Sequence, residues 1–366
     1  MLRPMAVRKR LGQSKALRIL PEALMGREAP RAKPVHMHLE HTTQCDHVCS
    51  TCIRAVRIDG EEDMPVDEAK GYIDSVGPTF LSLNGIGEPL MHPEWDTIAR
   101  YAIEHHGASV GMATTGTHFR AQADRLVLSG VGLVKVSFHG AKPRTFSRLA
   151  SGRQLEVVED GIAALHEARL RHGHGPSVRM NYVVSEQSFR EIPEAVNVAA
   201  RTNMDAVYFK GALVHKGRNS GLAAEHDIDE LSAAVGAGAR LAEEHGVRTN
   251  LDHWVREIRR VGKVEPSARP APLGRCMIPW LSVFIRVDGS VLPCCNCTWH
   301  PDEGTMGRIE DGDFSSVWRG KAFRDLRREM KDGTYSLTIC QDCPDPVTVG
   351  QAGEMALNRL WPGFLA

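Results

Sequence analysis

From Val35 onward, short apolar or β-branched runs alternate with polar turns and then with stretches whose apolar residues recur at helical spacing. The runs Val35–Thr42, Phe80–Gly85, Ser109–Thr114, Leu133–Phe138, Ser177–Val184 and Ala206–Leu213 predict strands. Between them, Val66–Ser75, Glu94–His105, Phe119–Ser129, Leu155–Arg171 and Ile192–Arg201 predict helices, and Ile228–His245 closes the series. This order predicts an α/β fold of parallel strands with crossover helices, six units of which suit an open barrel. In such barrels functional side chains sit at the C-terminal strand ends, where loops vary without disturbing the packed strands. After Gly246 the pattern changes, and the three prolines of residues 265–274 read as a linker into a smaller module. There Ser282–Val287 alternates, Asp288-Gly289 makes a tight hairpin turn, and Val291–Cys295 returns. Gly307-Arg308-Ile309 and a helix around Ser315–Lys331 follow. The expected division is an N-terminal extension (1–34, one helix near Pro21–Gly26), a barrel (35–264), a hairpin-plus-helix module (265–346) and a tail (347–366).

Composition narrows the class. With 366 residues the chain has ample length for two hydrophobic units. Lys+Arg and Asp+Glu are both 45, so no net field recruits nucleic acid or an acidic membrane. The basic stretches Arg8-Lys9-Arg10 and Arg327-Arg328 read as solvated faces. Nine cysteines, none between residues 53 and 275, argue by odd number and clustering against a disulfide framework. Without a secretory apolar segment at the N-terminus, the expected location is a reducing cytoplasm.

The chemistry concentrates first in Cys45-Asp46-His47-Val48-Cys49-Ser50-Thr51-Cys52, directly after the first predicted strand. Three thiols on so short a loop suit three corners of a cubane iron–sulfur cluster, leaving the fourth iron open to another ligand. A redox dithiol needs only the C-x2-C half, and structural zinc needs a fourth ligand, for which His47 lies too close on the same turn.

This C-x3-C-x2-C loop resembles that of the radical S-adenosylmethionine (SAM) superfamily, whose members bind a [4Fe-4S] cluster above a partial (β/α)6 barrel. Thr51 stands where members usually carry an aromatic residue. Asn84-Gly85-Ile86-Gly87-Glu88-Pro89 resembles the superfamily's G-G-E-P segment, interrupted by Ile86, and implies that Gly85, Gly87, Glu88 and Pro89 contact the methionyl end of SAM. Thr114-Thr115-Gly116-Thr117 is similar to the T-N-G-T turn, with Thr115 replacing Asn. The resemblance makes Ser137 and Asn181 candidates for the SAM ribose; the plainer readings are a strand-end hydroxyl satisfying backbone and an amide bracketing two strands. His139, where an Asp is usual, reads chiefly as a turn cap. Tyr208 and Lys210 are candidate substrate contacts at the barrel mouth, although alternation does not decide which faces inward.

The later cysteines resemble the SPASM and twitch extensions of the same superfamily. Twelve residues and Gly289 follow Cys276, four more lead to Cys294, and Cys340-Gln341-Asp342-Cys343 closes the set. With no cysteine beyond Cys343, the shorter twitch form fits best, implying one auxiliary [4Fe-4S] cluster on Cys276, Cys294, Cys340 and Cys343. Four thiolates also suit structural zinc. Cys295 and Cys297 are surplus, as replacement ligands, hydrogen donors to a substrate radical, or small packed hydrophobes.

The resemblance implies reductive cleavage of SAM to a 5′-deoxyadenosyl radical, which abstracts hydrogen from a small polar molecule such as a sugar, aminocyclitol or nucleoside. An external one-electron reductant of the flavodoxin or ferredoxin type is implied as partner. The expected outcome is oxidation through the auxiliary cluster, as in twitch aminocyclitol dehydrogenases. Redox-neutral epimerisation or another carbohydrate rearrangement, and modification of a ribosomal peptide, stand behind it. A non-catalytic metal or electron carrier is the reading from another class, and it leaves the strand-end motifs without purpose.

Overall fold

The computed structural model describes residues 18–49, 52–55, 60–211, 228–261, 276–341 and 343. Arg8-Lys9-Arg10, Ser50, Thr51, Ala212, Leu213, Asp342, the proline-rich residues 265–274 and the tail 347–366 lie outside them.

Strand alternation decides which side of the sheet takes the helices. The strands are β1 (His36–Leu39), β2 (Phe80–Leu83), β3 (Ser109–Thr114), β4 (Leu133–Phe138), β5 (Ser177–Val184), β6 (Ala206–Gly211) and β7 (Arg248–Thr249), each parallel to its neighbour. One face carries Met37, Leu83, Met112, Val136, Phe138, Met180, Tyr182 and Phe209, all buried in one core with the crossover helices. The opposite face carries His36, His38, Ser82, Lys135, Ser137, Arg179, Asn181, Tyr208 and Lys210. An apolar outer face and a polar inner one define an open barrel with a polar lumen. The helices Val66–Val76, Trp95–His106, Phe119–Leu128, Leu155–His172, Ile192–Arg201 and Ile228–His245 lie within a residue of the expected ones. β3, β4 and β5 coincide with the predicted runs, while β1 and β2 stop earlier, at Leu39 and Leu83, where the backbone turns into functional loops.

The C-terminal module is continuous with the barrel. β8 (Ser282–Ile285) pairs parallel to β1, with His36 opposite Ser282 and Leu39 opposite Ile285. β9 (Ser290–Leu292) and β10 (Gly307–Arg308) add antiparallel, so one ten-stranded sheet runs β10-β9-β8-β1-β2-β3-β4-β5-β6-β7. The free edge of β1 is thereby covered. Gly289 turns the hairpin at φ +78°, and a Cβ there would meet the Tyr72 hydroxyl at 2.4 Å, so the turn must be glycine for both reasons. The single helix expected around Ser315–Lys331 is two, Phe314–Trp318 and Lys321–Asp332. Gly320 separates them, and its Cβ position lies 2.8 Å from the Ser316 carbonyl.

The N-terminal segment docks under this module rather than trailing from it. A helix covers residues 18–24, and Ile19, Ala23 and Val35 share a buried cluster with Trp280, Leu326 and Met330. Trp280 Nε1 donates to the Arg27 carbonyl at 2.7 Å and Trp318 Nε1 to the Ala32 carbonyl at 3.0 Å. Fully buried Arg327 donates to the carbonyls of Pro279 (3.0 Å), Glu28 (2.7 Å) and Trp318 (2.8 Å), with its guanidinium 4.1 Å from the Trp318 ring. Arg327→Met keeps the bulk and strands three carbonyls. At about 1 kcal/mol or more for each unpaired group, stability falls by about 3 kcal/mol, read as a lower urea midpoint. An unchanged midpoint would mean that the arginine does not tie the segment down.

Candidate active site

The cysteine loop leaves β1 and is tied down by neutral and charged hydrogen bonds. Cys52 N donates to the Cys49 carbonyl at 3.0 Å, and Arg54 N donates to the Cys52 sulfur at 3.4 Å. Buried Arg54 holds the Thr43 carbonyl and pairs with Glu61 at 2.6 Å. Across the mouth, His47 Nε2 lies 3.3 Å from Thr117 Oγ1, and His118 Nε2 lies 3.1 Å from Asp46 Oδ2. The Thr-Thr-Gly-Thr turn after β3 therefore braces the loop. Burial raises the pKa of all three thiols, that of Cys45 to about 11. A cation bound by the loop would reverse that and hold them as thiolates.

The Gly85–Pro89 segment packs on the same loop. A Cβ on Gly87 would lie 2.4 Å from the Thr42 carbonyl, and one on Gly85 would lie 2.4 Å from the Glu40 side chain. These glycines admit neighbouring protein, where the sequence suggested approach to a ligand. Glu88 is buried and accepts from Thr114 Oγ1 (2.5 Å), Thr115 N (2.7 Å) and Leu90 N (3.2 Å). The Pro89 carbonyl accepts from His41 Nε2 at 3.1 Å. Glu88 thus joins the β2 and β3 ends at the cysteine loop, whose Gln44 carbonyl accepts its N–H at 2.7 Å.

Arg153 is the residue that motif reading missed. It is 4% exposed, donates to the Thr115 carbonyl at 2.5 Å and the Ser137 carbonyl at 3.1 Å, and stacks 4.8 Å from the Phe146 ring. Burial lowers its pKa, while Cys49, Glu88 and Cys45 act to raise it, so the cation sits among these groups. Its buried Nε has no hydrogen-bond partner among the described residues. The only advance signal was an arginine closing the Ser151-Gly152-Arg153 turn.

Within the lumen, Ser137 stands opposite Asn181, and Asn181 opposite Tyr208. The Asn181 Oδ1 accepts from Arg179 Nε at 3.1 Å, so the amide braces that guanidinium. Tyr208 and Lys210 share one strand face; Arg179 lies over the Tyr208 ring at 5.2 Å, and Lys210 acts electrostatically on His38 and Lys135. His139 is pushed down to about pKa 4, first by burial and then by Arg153.

The C-terminal cysteines also converge. Burial raises the Cys340 thiol's pKa, and Cys294, Cys276 and Cys343 each add to the shift, so all four expected ligands lie in one electrostatic neighbourhood. Asn296 Nδ2 donates to the Cys343 sulfur at 3.6 Å. Of the surplus pair, Cys297 is buried with its sulfur 3.6 Å from that of Cys294, whereas Cys295 bears on Lys135 in the lumen.

These features define a protein whose barrel mouth and C-terminal module each gather thiols. Residues 39–199 match the radical SAM superfamily and residues 276–344 the SPASM iron–sulfur cluster-binding domain. The chain belongs to the radical SAM superfamily and carries a C-terminal SPASM domain. It is similar to the tungsten-containing aldehyde ferredoxin oxidoreductase cofactor-modifying protein of Pyrococcus furiosus, at 23% identity over 84% of this chain and 86% of that one. A probable GTP 3′,8-cyclase of Sulfolobus acidocaldarius is 26% identical over 46% of this chain and 52% of its own length. The fold is shared with Streptococcus suis SuiB bound to S-adenosylmethionine, at TM-score 0.62 and 16% identity over 85% of this chain and 71% of that one. It is also shared with anSMEcpe with bound AdoMet, at TM-score 0.61 and 16% identity over 85% and 86%.

The two domains bring a [4Fe-4S] cluster with SAM and auxiliary iron–sulfur binding. The residues fit: three thiols on one braced loop, a buried arginine with an orphaned donor beside them, and three further thiols, Cys276, Cys294 and Cys343, near Cys340. Among the described residues no three His, Cys, Asp or Glu side chains close around a single metal ion. No helix among the described residues is long and apolar enough to cross a membrane.

Proposed function

We propose that Cys45, Cys49 and Cys52 hold the SAM-binding cluster, that Cys276, Cys294, Cys340 and Cys343 hold an auxiliary cluster, and that the lumen between them oxidises a small polar substrate. When bound, the clusters and SAM supply the radical chemistry: reductive cleavage of the sulfonium, hydrogen abstraction from carbon, and a sink for the electron left on the product. The chain's own residues position and enclose. Arg153 offers a buried guanidinium to the carboxylate of SAM, Thr115, Ser137 and Asn181 line the path of its nucleoside, and Gly85, Gly87, Glu88 and Pro89 shape the wall behind it. Tyr208 and Lys210 face the substrate across the lumen. Burial in such an enclosed site excludes water and competing hydrogen donors.

The observation that carries the reading is Cys295. Its immediate neighbour Cys294 belongs to the proposed auxiliary quartet, while Cys295 acts electrostatically on Lys135 of the inner face of β4, which supports an auxiliary site on the lumen side of the sheet. Relatives named as a GTP cyclase and a cofactor-modifying protein favour a polar small molecule; the SuiB structure with its precursor peptide keeps peptide modification as the second reading. The required partner is a one-electron reductant of flavodoxin or ferredoxin type.

The test is turnover by anaerobically reconstituted protein under a low-potential reductant, with 5′-deoxyadenosine and product both quantified. In Cys295→Ala and Cys297→Ala variants of full iron content, oxidation predicts surviving turnover. Turnover lost in the Cys295 variant, with SAM cleavage retained, would instead make that thiol a hydrogen donor and the reaction redox-neutral.

A further inference from the structure

Arginines on the outside of the barrel mostly stand in ion pairs: Arg120 with Asp160, Arg125 with Asp96, Arg171 with Asp124, Arg190 with Glu230 and Arg201 with Glu159. The short helix that follows β4, Pro143–Leu149, departs from this pattern. Residues 139–155 contain Lys142, Arg144, Arg148 and Arg153 and no Asp or Glu. Lys142, Arg144 and Arg148 are exposed, and no carboxylate among the described residues pairs with them. Arg144 and Arg148, four residues apart, share one face of the helix.

The helix is held firmly at both ends. Buried Glu191 accepts from Ala141 N (2.8 Å), Lys142 N (3.0 Å) and Thr145 Oγ1 (2.6 Å), so this carboxylate serves the start of the helix and not its basic face. Phe146 is buried in the barrel core. At the other end Ser151 (φ +57°) and Gly152 (φ +79°) pass through the left-handed region, where a serine persists only if its surroundings hold it. The Ser151 Oγ accepts from Val48 N at 3.3 Å, and Cys49 acts electrostatically on Arg153. The basic helix therefore abuts the cysteine loop at residues 48 and 49. Val48 is 50% exposed there, and Val157, at the start of the next helix, 45%. An exposed apolar residue on the thiol loop, flanked by unpaired cations on a fixed helix, has the make-up of a transient docking face: charge steers and orients the approach, and apolar contact forms beside the group to be reached.

We infer that the face formed by Lys142, Arg144, Arg148 and Val48 docks an acidic one-electron carrier protein, a low-potential flavodoxin or ferredoxin, against the cysteine loop. This rests on the radical reading of that loop. The step it serves moves one electron: an anionic flavin hydroquinone becomes the neutral semiquinone, or a reduced iron–sulfur centre is oxidised, while the [4Fe-4S] core on the loop goes from 2+ to 1+. No bond forms or breaks. Val48 adjoins Cys49 in the chain, so a protein seated on it lies against the thiols.

The experiment uses anaerobically reconstituted protein and a purified acidic flavodoxin. Binding of the oxidised carrier is measured by calorimetry, and bleaching of the loop cluster by its hydroquinone is followed by stopped flow. Affinity and bleaching rate of wild type are both expected to fall at least about tenfold as salt rises from about 50 to about 300 mM. Arg144→Glu and Arg148→Glu, at wild-type iron content, are each expected to weaken both at low salt, and together by at least about tenfold. Arg240→Glu, the same change on an exposed position of the helix Ile228–His245, is expected to leave both unchanged. Photoreduced deazaflavin, a small uncharged donor, is expected to bleach wild type and variants at one rate. Binding of an acidic ferredoxin in place of the flavodoxin, with the same loss in the variants, supports the face and assigns the carrier. Equal carrier affinity in wild type and the double variant, affinity indifferent to salt, slowing by deazaflavin as well, or capture of anionic phospholipid vesicles with no carrier bound overturns the inference. SAM cleavage separates the two claims: cleavage driven by deazaflavin without carrier binding sinks the docking face alone, and carrier binding without cleavage sinks the radical reading alone.

Discussion

Replacing Cys45, Cys49 and Cys52 together with Ala is expected to abolish 5′-deoxyadenosine formation under dithionite and to lower iron from about eight to about four per chain. The expected effect is total because, on the proposed assignment, the open iron that would anchor SAM is lost with its three thiolates, and no other thiol among the described residues stands on that loop. The proposed quartet Cys276, Cys294, Cys340 and Cys343 is expected to keep its own iron, since it belongs to a different part of the sheet, beside β9. Iron and sulfide assay with Mössbauer spectra on both proteins checks the count. Loss of all iron in the variant would mean that the two sites fold as one; retention of cleavage would remove the loop from the chemistry.

Acid is expected to unfold the barrel well before its carboxylates titrate. Four histidines are held neutral by burial: His38 has its pKa lowered to about 3, His41 and His139 to about 4, and His36 well below its ordinary value. Neighbouring charge adds to this, from Lys135 and Lys210 at His38 and from His92 at His41. In the unfolded chain each titrates near pH 6.5, so between that value and the folded pKa the unfolded state binds more protons. Their stability contribution is therefore complete above about pH 6.5 and is lost as pH falls, by up to about 1.4 kcal/mol per pH unit for each histidine. Urea titrations from pH 7.5 to 5 should show stability falling by several kcal/mol, with the slope reduced by about a quarter in His38→Asn. A profile flat across that range would mean that these imidazoles are protonated in the fold.

How far such features are legible depends on the range of the interaction that creates them. β3, β4 and β5, and the helix Ile192–Arg201, were readable to the residue because local alternation and helical spacing state which face is buried. The cysteine loop was readable because its three ligands are neighbours in the chain. Alternation also contained the lumen: Lys135, Ser137, Arg179, Asn181, Tyr208 and Lys210 all occupy polar positions in otherwise apolar strands. Lys135 and Arg179 went unassigned because a single strand does not reveal which residue of the next one it faces. Arg153 was hidden for a similar reason, since its partners Thr115 and Ser137 lie 38 and 16 residues away. The helix expected around Ser315–Lys331 was read through Gly320 because helical spacing continues across it; the break comes where Gly320 turns extended, at ψ 169°, to cap the second helix, and a Cβ there would crowd the Ser316 carbonyl.

What this chain determines by sequence alone is its chemistry's address and its repeating architecture: three closely spaced thiols after a strand, four more near the end, and βα units whose periodicity sorts outer from inner faces. Only the tertiary structure decided that the C-terminal hairpin continues the barrel sheet through β8 and β1, that the N-terminal segment is clamped beneath it by Trp280, Trp318 and Arg327, and that Cys276, Cys294 and Cys343 gather near Cys340. The reason is physical. Periodicity records each residue's own partition between water and core, whereas strand pairing and lumen contacts depend on closing hundreds of residues of chain, and no local pattern records where those closures fall.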